Sequence, residues 1–155
     1  MAAQFYAHWS DQLPAQESEL DPTLVKFIRS GGAISTRDYV LAMERARAYW
    51  HEAQTFLARF DLLLTPTAAV APFPVGHSGP REIAGQAVSV LGWMPFTFPF
   101  NLTGQPAASV PAGVTDDGLP VGLQIIGRRN ADRTVLAASA AYEAACPWSE
   151  RRPPP

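Results

Sequence analysis

The chain contains few of the side chains that proteins use for nucleophilic, acid–base or metal chemistry. Lys26 is the single lysine, against eleven arginines, and because it falls outside the apolar stripe of a predicted helix we expect it to be a solvated charge. The three histidines, His8, His51 and His77, are far apart in the sequence. They share no ligand spacing with the single cysteine, Cys146, so we expect no metal site.

A short motif, GHSG at residues 76–79, raises the question of a serine nucleophile. The nucleophile elbow of serine hydrolases reads G-x-S-x-G between a strand and a helix, whereas Pro80 takes the fifth position here. That class of hydrolase also places its histidine after the serine, and no histidine follows His77. We therefore reject a serine hydrolase that uses Ser78.

Cofactor chemistry has no support in the sequence. Neither the dinucleotide-binding glycine pattern nor the Walker pattern occurs, so we expect no phosphate-bearing cofactor. The fourteen acidic residues lie in no motif that would set up a pair of carboxylates for acid–base work.

An aromatic segment at residues 93–100 is the one stretch with a functional character. It holds four aromatic residues and two prolines in eight positions. Aromatic residues carry much of any protein core, so core packing explains the segment. It is equally the composition of the wall of an apolar ligand pocket, with Thr97 and Asn101 as its polar groups. Both interpretations stay open at this point.

Composition limits the class of protein. A length of 155 residues suits one compact domain, and 47% hydrophobic with 17% charged residues excludes a disordered chain. A formal net charge of −2 argues against a nucleic-acid partner, and no apolar run approaches the roughly 20 residues that span a membrane. Without a basic, apolar leader after Met1, we expect a cytoplasmic protein.

Helices are predicted in the first part of the chain. Asp21 followed by Pro22 predicts a helix start, and Gly31 with Gly32 predicts its end. Ser35 begins the strongest helix, with a seam of apolar residues spaced by four and three. That seam predicts either packing against a sheet or helix of the same chain or a coiled-coil dimer. Its residues are Tyr39, Met43, Ala46, Trp50, Ala53, Leu57 and Phe60.

Strands are predicted later in the chain. Residues 62–64 are three leucines between Asp61 and Pro66, which predicts a strand covered on both faces. Residues 107–110 and 121–126 predict two strands, and residues 117–118 (DG) predict the turn between them. Asn130 or Asp132 is expected to cap an alanine-rich helix that ends before Pro147. The fold class is therefore α/β, with helices layered on a sheet.

In their order along the chain, four segments resemble the amidase signature family. They are residues 60–67 (FDLLLTPT), 95–113 (PFTFPFNLTGQPAASVPAG) and 118–127 (GLPVGLQIIG), and the last helix followed by Pro147 and Trp148. The resemblance covers roughly residues 20–150. It implies the C-terminal part of the amidase-signature fold, a mixed β-sheet flanked by helices. We divide the chain into a helical segment at 1–34, the amidase-signature part at 35–150 and a Pro-rich tail at 151–155.

The resemblance also implies a reaction and a missing site. Family enzymes hydrolyse a carboxylic amide through an acyl-serine intermediate, using two serines and a lysine that lie upstream of the region matched here. None of the nine serines is adjacent to another, and Ser30 and Lys26 lie before the matched strand. We therefore assign no catalytic residue and expect the chain alone to be inactive.

Part of the family's substrate pocket can be carried over. The stretch before the N-x-x-G-x-P motif lies near the substrate, so Trp93, Met94 and Phe96 are the predicted substrate-binding residues. Met94 stands where the A-type polypeptide of the glutamyl-tRNA amidotransferase has an acidic residue, which favours an apolar amide over a glutamine-dependent reaction.

The expected partners follow from the same resemblance. The chain would bind a small amide only together with the missing N-terminal part, as a complementing fragment or a homo-oligomer. The alternatives are a fragment of that amidotransferase polypeptide, or a non-catalytic module that kept the scaffold and binds a partner.

Overall fold

The computed structural model describes residues 1–148, which divide into one compact unit at Met1–Ala48 and another from Tyr49 onward. The expected tail at 151–155 lies outside the described residues, and the expected boundary at residue 34 stays a prediction. The first unit is helical. Its elements are α1 (Ala2–Trp9), α2 (Leu13–Gln16), a 3₁₀ turn (Glu17–Glu19), α3 (Pro22–Gly31) and the start of α4 (Thr36–Leu57).

Helix α3 begins and ends where the sequence predicts. The Asp21 carboxylate accepts hydrogen bonds from the backbone N–H of Thr23 at 2.7 Å and of Leu24 at 3.2 Å. The helix ends at Gly31, whose position packs so closely on α1 that an added Cβ would lie 2.7 Å from the Tyr6 Cβ. The small core of this unit consists of Leu13, Val25 and Ile28, with Leu20 and Leu24 packed against it.

The Asp21 cap makes a testable contribution to stability. Hydrogen bonds from the backbone N–H groups of Leu24 and then Thr23 lower the pKa of Asp21 below its usual 3.8. A depressed carboxyl pKa stabilises the fold above the usual value and loses that effect as the pH falls through the native pKa. Asparagine caps as well but does not titrate. We therefore expect the unfolding midpoint of the native chain to approach that of Asp21→Asn between pH 6 and pH 3.

Thermal unfolding followed by circular dichroism at the two pH values measures this effect. Asp21→Ala, which removes the cap altogether, serves as the control and should unfold below both other proteins at pH 6. A constant difference between the native chain and Asp21→Asn would contradict the prediction.

Helix α4 has the predicted start but lacks the predicted partner along most of its length. The Ser35 Oγ accepts from the backbone N–H of Asp38 at 3.1 Å, and its hydroxyl donates to the Asp38 carboxylate at 2.6 Å. Of the predicted seam only Leu57 is buried, while Met43 is 51% exposed and Phe60, beyond the helix end, is 44% exposed. Packing within the chain is therefore confirmed only at the C-terminal end of the helix.

The second unit contains a three-stranded sheet with strand order β1-β5-β4. Its strands are β1 (Leu62–Pro66), β4 (Ala107–Val114) and β5 (Pro120–Gly127), while β2 (Glu82–Ile83) and β3 (Gln86–Ala87) form a separate short hairpin. Every strand pair within residues 1–148 is antiparallel. An α/β architecture is confirmed, whereas the expected mixed sheet is not present in this part of the fold.

Strand β1 is less covered than its sequence suggests. It lies at one edge of the sheet, and Leu64 is 56% exposed. The prediction of a strand covered on both faces is therefore wrong for the described residues. A run of three leucines indicates burial, but it does not indicate which chain segment provides the cover.

The two faces of the sheet are covered by different helices. On one face the buried residues Val110 and Ile125 pack with Val135 of α6 (Asp132–Ala145). The opposite face carries Ile126, which is fully buried, beside Leu63 on the neighbouring strand. This second face is where the end of α4 and α5 (Phe98–Thr103) lie.

Local geometry at α6 differs from the prediction. The N-cap is Ala131, with no side-chain cap, and Asn130 takes a positive φ of 62° instead of capping. Asp132 is the first helical residue, so the prediction that Asn130 or Asp132 caps the helix is wrong. Asparagine tolerates the left-handed conformation better than most residues. The predicted end is confirmed, because the helix stops at Ala145 before Pro147.

Candidate functional site

A cavity of about 410 Å³ lies in the second unit beside strands β4 and β5. Its wall combines the loop that follows β1, one aromatic residue and the strand ends. The lining residues are Thr67, Ala68, Ala69, Val70, Ala71, Pro72, Phe73, Trp93, Ser109, Thr115, Pro120, Val121 and Gly122. Most of these are apolar, and the polar ones are hydroxyl side chains, which is typical of a small-molecule pocket.

Two hydroxyl groups meet across β5 at the bottom of this wall. The Thr67 Oγ1 and Ser109 Oγ atoms are 2.7 Å apart and hydrogen-bonded. They meet directly over Gly122, where an added Cβ would lie 2.7 Å from Thr67 Oγ1 and 2.8 Å from Ser109 Oγ. The backbone N–H of Thr67 also donates to the Gly122 carbonyl at 2.9 Å. Glycine at this position therefore allows the loop to cross the sheet.

Trp93 forms the aromatic part of the wall. Its ring packs edge-on against Phe73 with centroids 5.4 Å apart, and its carbonyl accepts from the backbone N–H of Ala69 at 3.0 Å. The backbone of Gly79 lies against the indole, because an added Cβ would be 2.6 Å from its Cδ1. The indole Nε1 is buried without a hydrogen-bond partner among the described residues.

The structure separates the three predicted substrate-binding residues. Trp93 lines the cavity, whereas Met94 and Phe96 are half-buried outside its lining. Both are held in place by their backbone. The Thr97 hydroxyl donates to the Met94 carbonyl at 3.3 Å, so it does not cap α5 with its side chain as predicted, although Thr97 is the N-cap residue.

Gln124 on β5 is a positioning residue that the sequence does not reveal. It is 4% exposed, and its Nε2 donates to the Phe96 carbonyl at 2.8 Å and to Thr65 Oγ1 at 2.9 Å. The amide thereby uses both of its protons to join the aromatic segment to β1. A glutamine inside a strand has no local pattern that indicates such a role.

The cavity can bind but carries no proton-transfer group of its own. Its polar side chains are Thr67, Ser109 and Thr115, together with the Trp93 indole. None of the lining side chains is an acid, a histidine or a lysine, so the lining supplies no general acid or base. An apolar molecule with one or two hydrogen-bonding groups matches this lining best.

Other residues singled out in the sequence lie apart from any site. His77 and Ser78 are exposed in the loop between β1 and β2. Lys26 is exposed on α3, and the Ser30 hydroxyl donates to the Phe27 carbonyl at 2.7 Å. Within residues 1–148 no three acidic, histidine or cysteine side chains are grouped to hold a metal ion. None of the helices described there is long and apolar enough to cross a membrane.

Comparison with known proteins places this chain in a family. The amidase family pattern matches residues 3–136. An acylamidase from Rhodococcus erythropolis is 36% identical over 140 residues, which are 89% of this chain and 29% of that protein. The A-type polypeptide of the glutamyl-tRNA(Gln) amidotransferase from Granulibacter bethesdensis is 42% identical over 124 residues, 73% of this chain and 24% of that polypeptide.

A solved structure gives the same result for the fold. A bacterial aryl acylamidase of the amidase signature family superimposes with a TM-score of 0.84 at 33% identity, over 99% of this chain and 34% of that one. The chain thus spans about a third or less of the length of the relatives that it matches. It belongs to the amidase signature family and represents part of that family's fold.

Proposed function

We propose that the chain is the C-terminal part of an amidase-signature hydrolase. The observation that carries the proposal is the family match over most of the chain, combined with a cavity whose lining holds no group for proton transfer. The reactive serines and lysine would then come from a polypeptide that precedes this region in the relatives. The chain by itself would be inactive.

The reaction would be the hydrolysis of a carboxylic amide in two steps. A serine hydroxyl, deprotonated by its basic neighbours, attacks the amide carbon, and the C–N bond breaks as the leaving amine takes a proton. Water then hydrolyses the resulting ester to the free acid. This chain would contribute the apolar wall that orients the substrate, with Trp93, Met94 and Phe96 as the binding residues.

The substrate class we favour is an apolar, aromatic amide. Trp93 and Phe73 offer aromatic surface to the cavity, and the lining lacks the charge that an amino acid substrate would require. Met94 occupies the position at which the amidotransferase polypeptide has an acidic residue. An amidotransferase fragment is therefore the second candidate, supported by the 42% identity to the Granulibacter protein.

Hydrolysis of 4-nitroacetanilide, followed by release of 4-nitroaniline, tests the proposal. We expect no turnover above the buffer rate by the purified chain. We expect turnover when the chain is co-expressed with the part of the Rhodococcus erythropolis acylamidase that it does not match. Activity of the chain alone would contradict the assignment, and Ser78→Ala would show whether Ser78 is responsible.

The pocket assignment is tested in the same complemented enzyme. Trp93→Ala should lower kcat/KM for the anilide by about tenfold, because an apolar wall is lost, whereas Val75→Ala in the exposed loop should have no effect. If complementation fails while the chain unfolds sharply as a monomer, a non-catalytic binding module becomes the better description.

The cellular setting is part of the same proposal. We place the protein in the cytoplasm, acting on a small amide without a cofactor, nucleic acid or membrane. Its expected partner is a complementing N-terminal polypeptide or another copy of the chain.

A further inference from the structure

The outer edge of β1 is open. Within residues 1–148 only β5 pairs with β1, with Leu63 opposite Ile126 and Thr65 opposite Gln124. The Thr67 N–H donates to the Gly122 carbonyl, and hydrogen-bonded residues alternate along an antiparallel pair. The N–H and C=O groups of Leu62 and Leu64 therefore point away from β5, towards the free edge.

This edge lacks the features that usually prevent strand addition. The sequence Leu62–Pro66 carries no charge, and its pairing with β5 is regular over all five positions. The opposite edge, β4, has Pro111 and a shift of register between Pro111 and Val114, both of which discourage pairing. Of the two edges of this sheet, β1 is the one suited to accept another strand.

An apolar groove lies directly beside the open edge. It has a volume of about 210 Å³ and is lined by Tyr49, Glu52, Ala53, Phe56, Leu57, Leu63 and Phe100. Phe56 in the groove is 46% exposed and Leu64 on the other face of β1 is 56% exposed. Apolar side chains thus flank the free backbone groups on both faces of the edge strand, as in surfaces that bind a partner.

We propose that the open edge of β1 and this groove form the surface that binds the remainder of an amidase-signature domain. The partner adds a strand to β1 and places apolar side chains in the groove. The proposal rests on the proposed function. The relatives are about three times as long as this chain, while the matching structure retains the chain's fold over 99% of its length. Chain segments outside this region are therefore the natural cover for a complete but open edge.

The test uses the unmatched part of the Rhodococcus erythropolis acylamidase, carrying an affinity tag and co-expressed with this chain. Leu64→Lys places a charge at the open edge, and Phe56→Lys places one in the groove. Each should reduce the co-purified amount of this chain by about 30-fold, the scale of an interface hot spot. Leu64→Ile should bind normally. Leu136→Lys on α6, where the native leucine is 66% exposed, is the matched control.

The readout separates this proposal from the proposed function. Binding that Leu64→Lys abolishes, without anilide hydrolysis, supports the interface and contradicts the hydrolase assignment. Hydrolysis that survives Leu64→Lys and Phe56→Lys overturns the interface and leaves the assignment intact. The interface is also overturned if Leu136→Lys weakens binding equally, if no binding occurs, or if the chain alone forms a dimer that Leu64→Lys dissociates. Circular dichroism of each variant verifies that the chain is folded.

Discussion

Replacing Ile126 by alanine should lower the free energy of unfolding by about 2–5 kcal/mol. Ile126 is fully buried near the end of β5, paired with Leu63 on one side and Ala107 on the other. Truncation removes three carbon atoms from a packed interior and leaves a cavity that the two neighbouring strands cannot close. Urea unfolding of the purified chain, followed by circular dichroism, measures the change.

Two further variants make the Ile126 result interpretable. Ile126→Val removes a single methylene and should cost about 0.5–1.5 kcal/mol. Leu136→Ala shortens an exposed side chain on α6 and should change the stability by less than about 0.5 kcal/mol. Equal losses at positions 126 and 136 would mean that the sheet is not the centre of the cooperative unit.

Gly122→Ala should disrupt the hydroxyl pair of the candidate site and cost about 1–3 kcal/mol, in the range of an overpacked interior. The new Cβ would lie 2.7 Å from Thr67 Oγ1 and 2.8 Å from Ser109 Oγ. Neither hydroxyl can withdraw without breaking the 2.7 Å hydrogen bond between them. The loop after β1, which forms one side of the cavity, would therefore move away from β5.

A double-mutant cycle identifies the cause. In the background of Ser109→Ala one of the two obstructing atoms is gone, so Gly122→Ala should be less destabilising there. Urea unfolding supplies the stabilities, and proteolysis between residues 67 and 81 reports the release of the loop. An identical cost in both backgrounds would show that the strain lies in the backbone and not in the contact with Ser109.

Local signals in the sequence predicted local structure well. The start of α3 at Asp21 and that of α4 at Ser35 depend on side chains within three residues of the helix end. The hairpin between β4 and β5 depends on a turn in which Gly118 takes a positive φ of 79°. Each of these features is decided by neighbours along the chain, so the residue types alone indicate it.

The predictions that failed depend on distant or absent neighbours. Leu64 has the sequence of a buried strand position, but its cover is not among the described residues. Asn130 has the side chain of a helix cap, but the tertiary path requires a left-handed residue there. The position of α4 could not be read from its seam, because a stripe of apolar residues does not state which surface it meets.

The candidate site was only partly predictable for the same reason. Composition marked the aromatic segment, and Trp93 lies in the wall of the cavity. Thr67 and Ser109 are 42 residues apart, and no local pattern associates them. Gly122 and Gln124 are unremarkable in a strand until the loop that crosses it is known.

The two hydrogen bonds of Gln124 have a mechanical consequence. One side-chain nitrogen holds both the Phe96 carbonyl and the Thr65 hydroxyl, and within a buried environment neither acceptor has water as a substitute. A displacement of either segment by more than a few tenths of an ångström strains the other. Ligand-induced movement of the aromatic wall would thus be transmitted to the sheet margin, and anything attached there would in turn tune the shape of the wall.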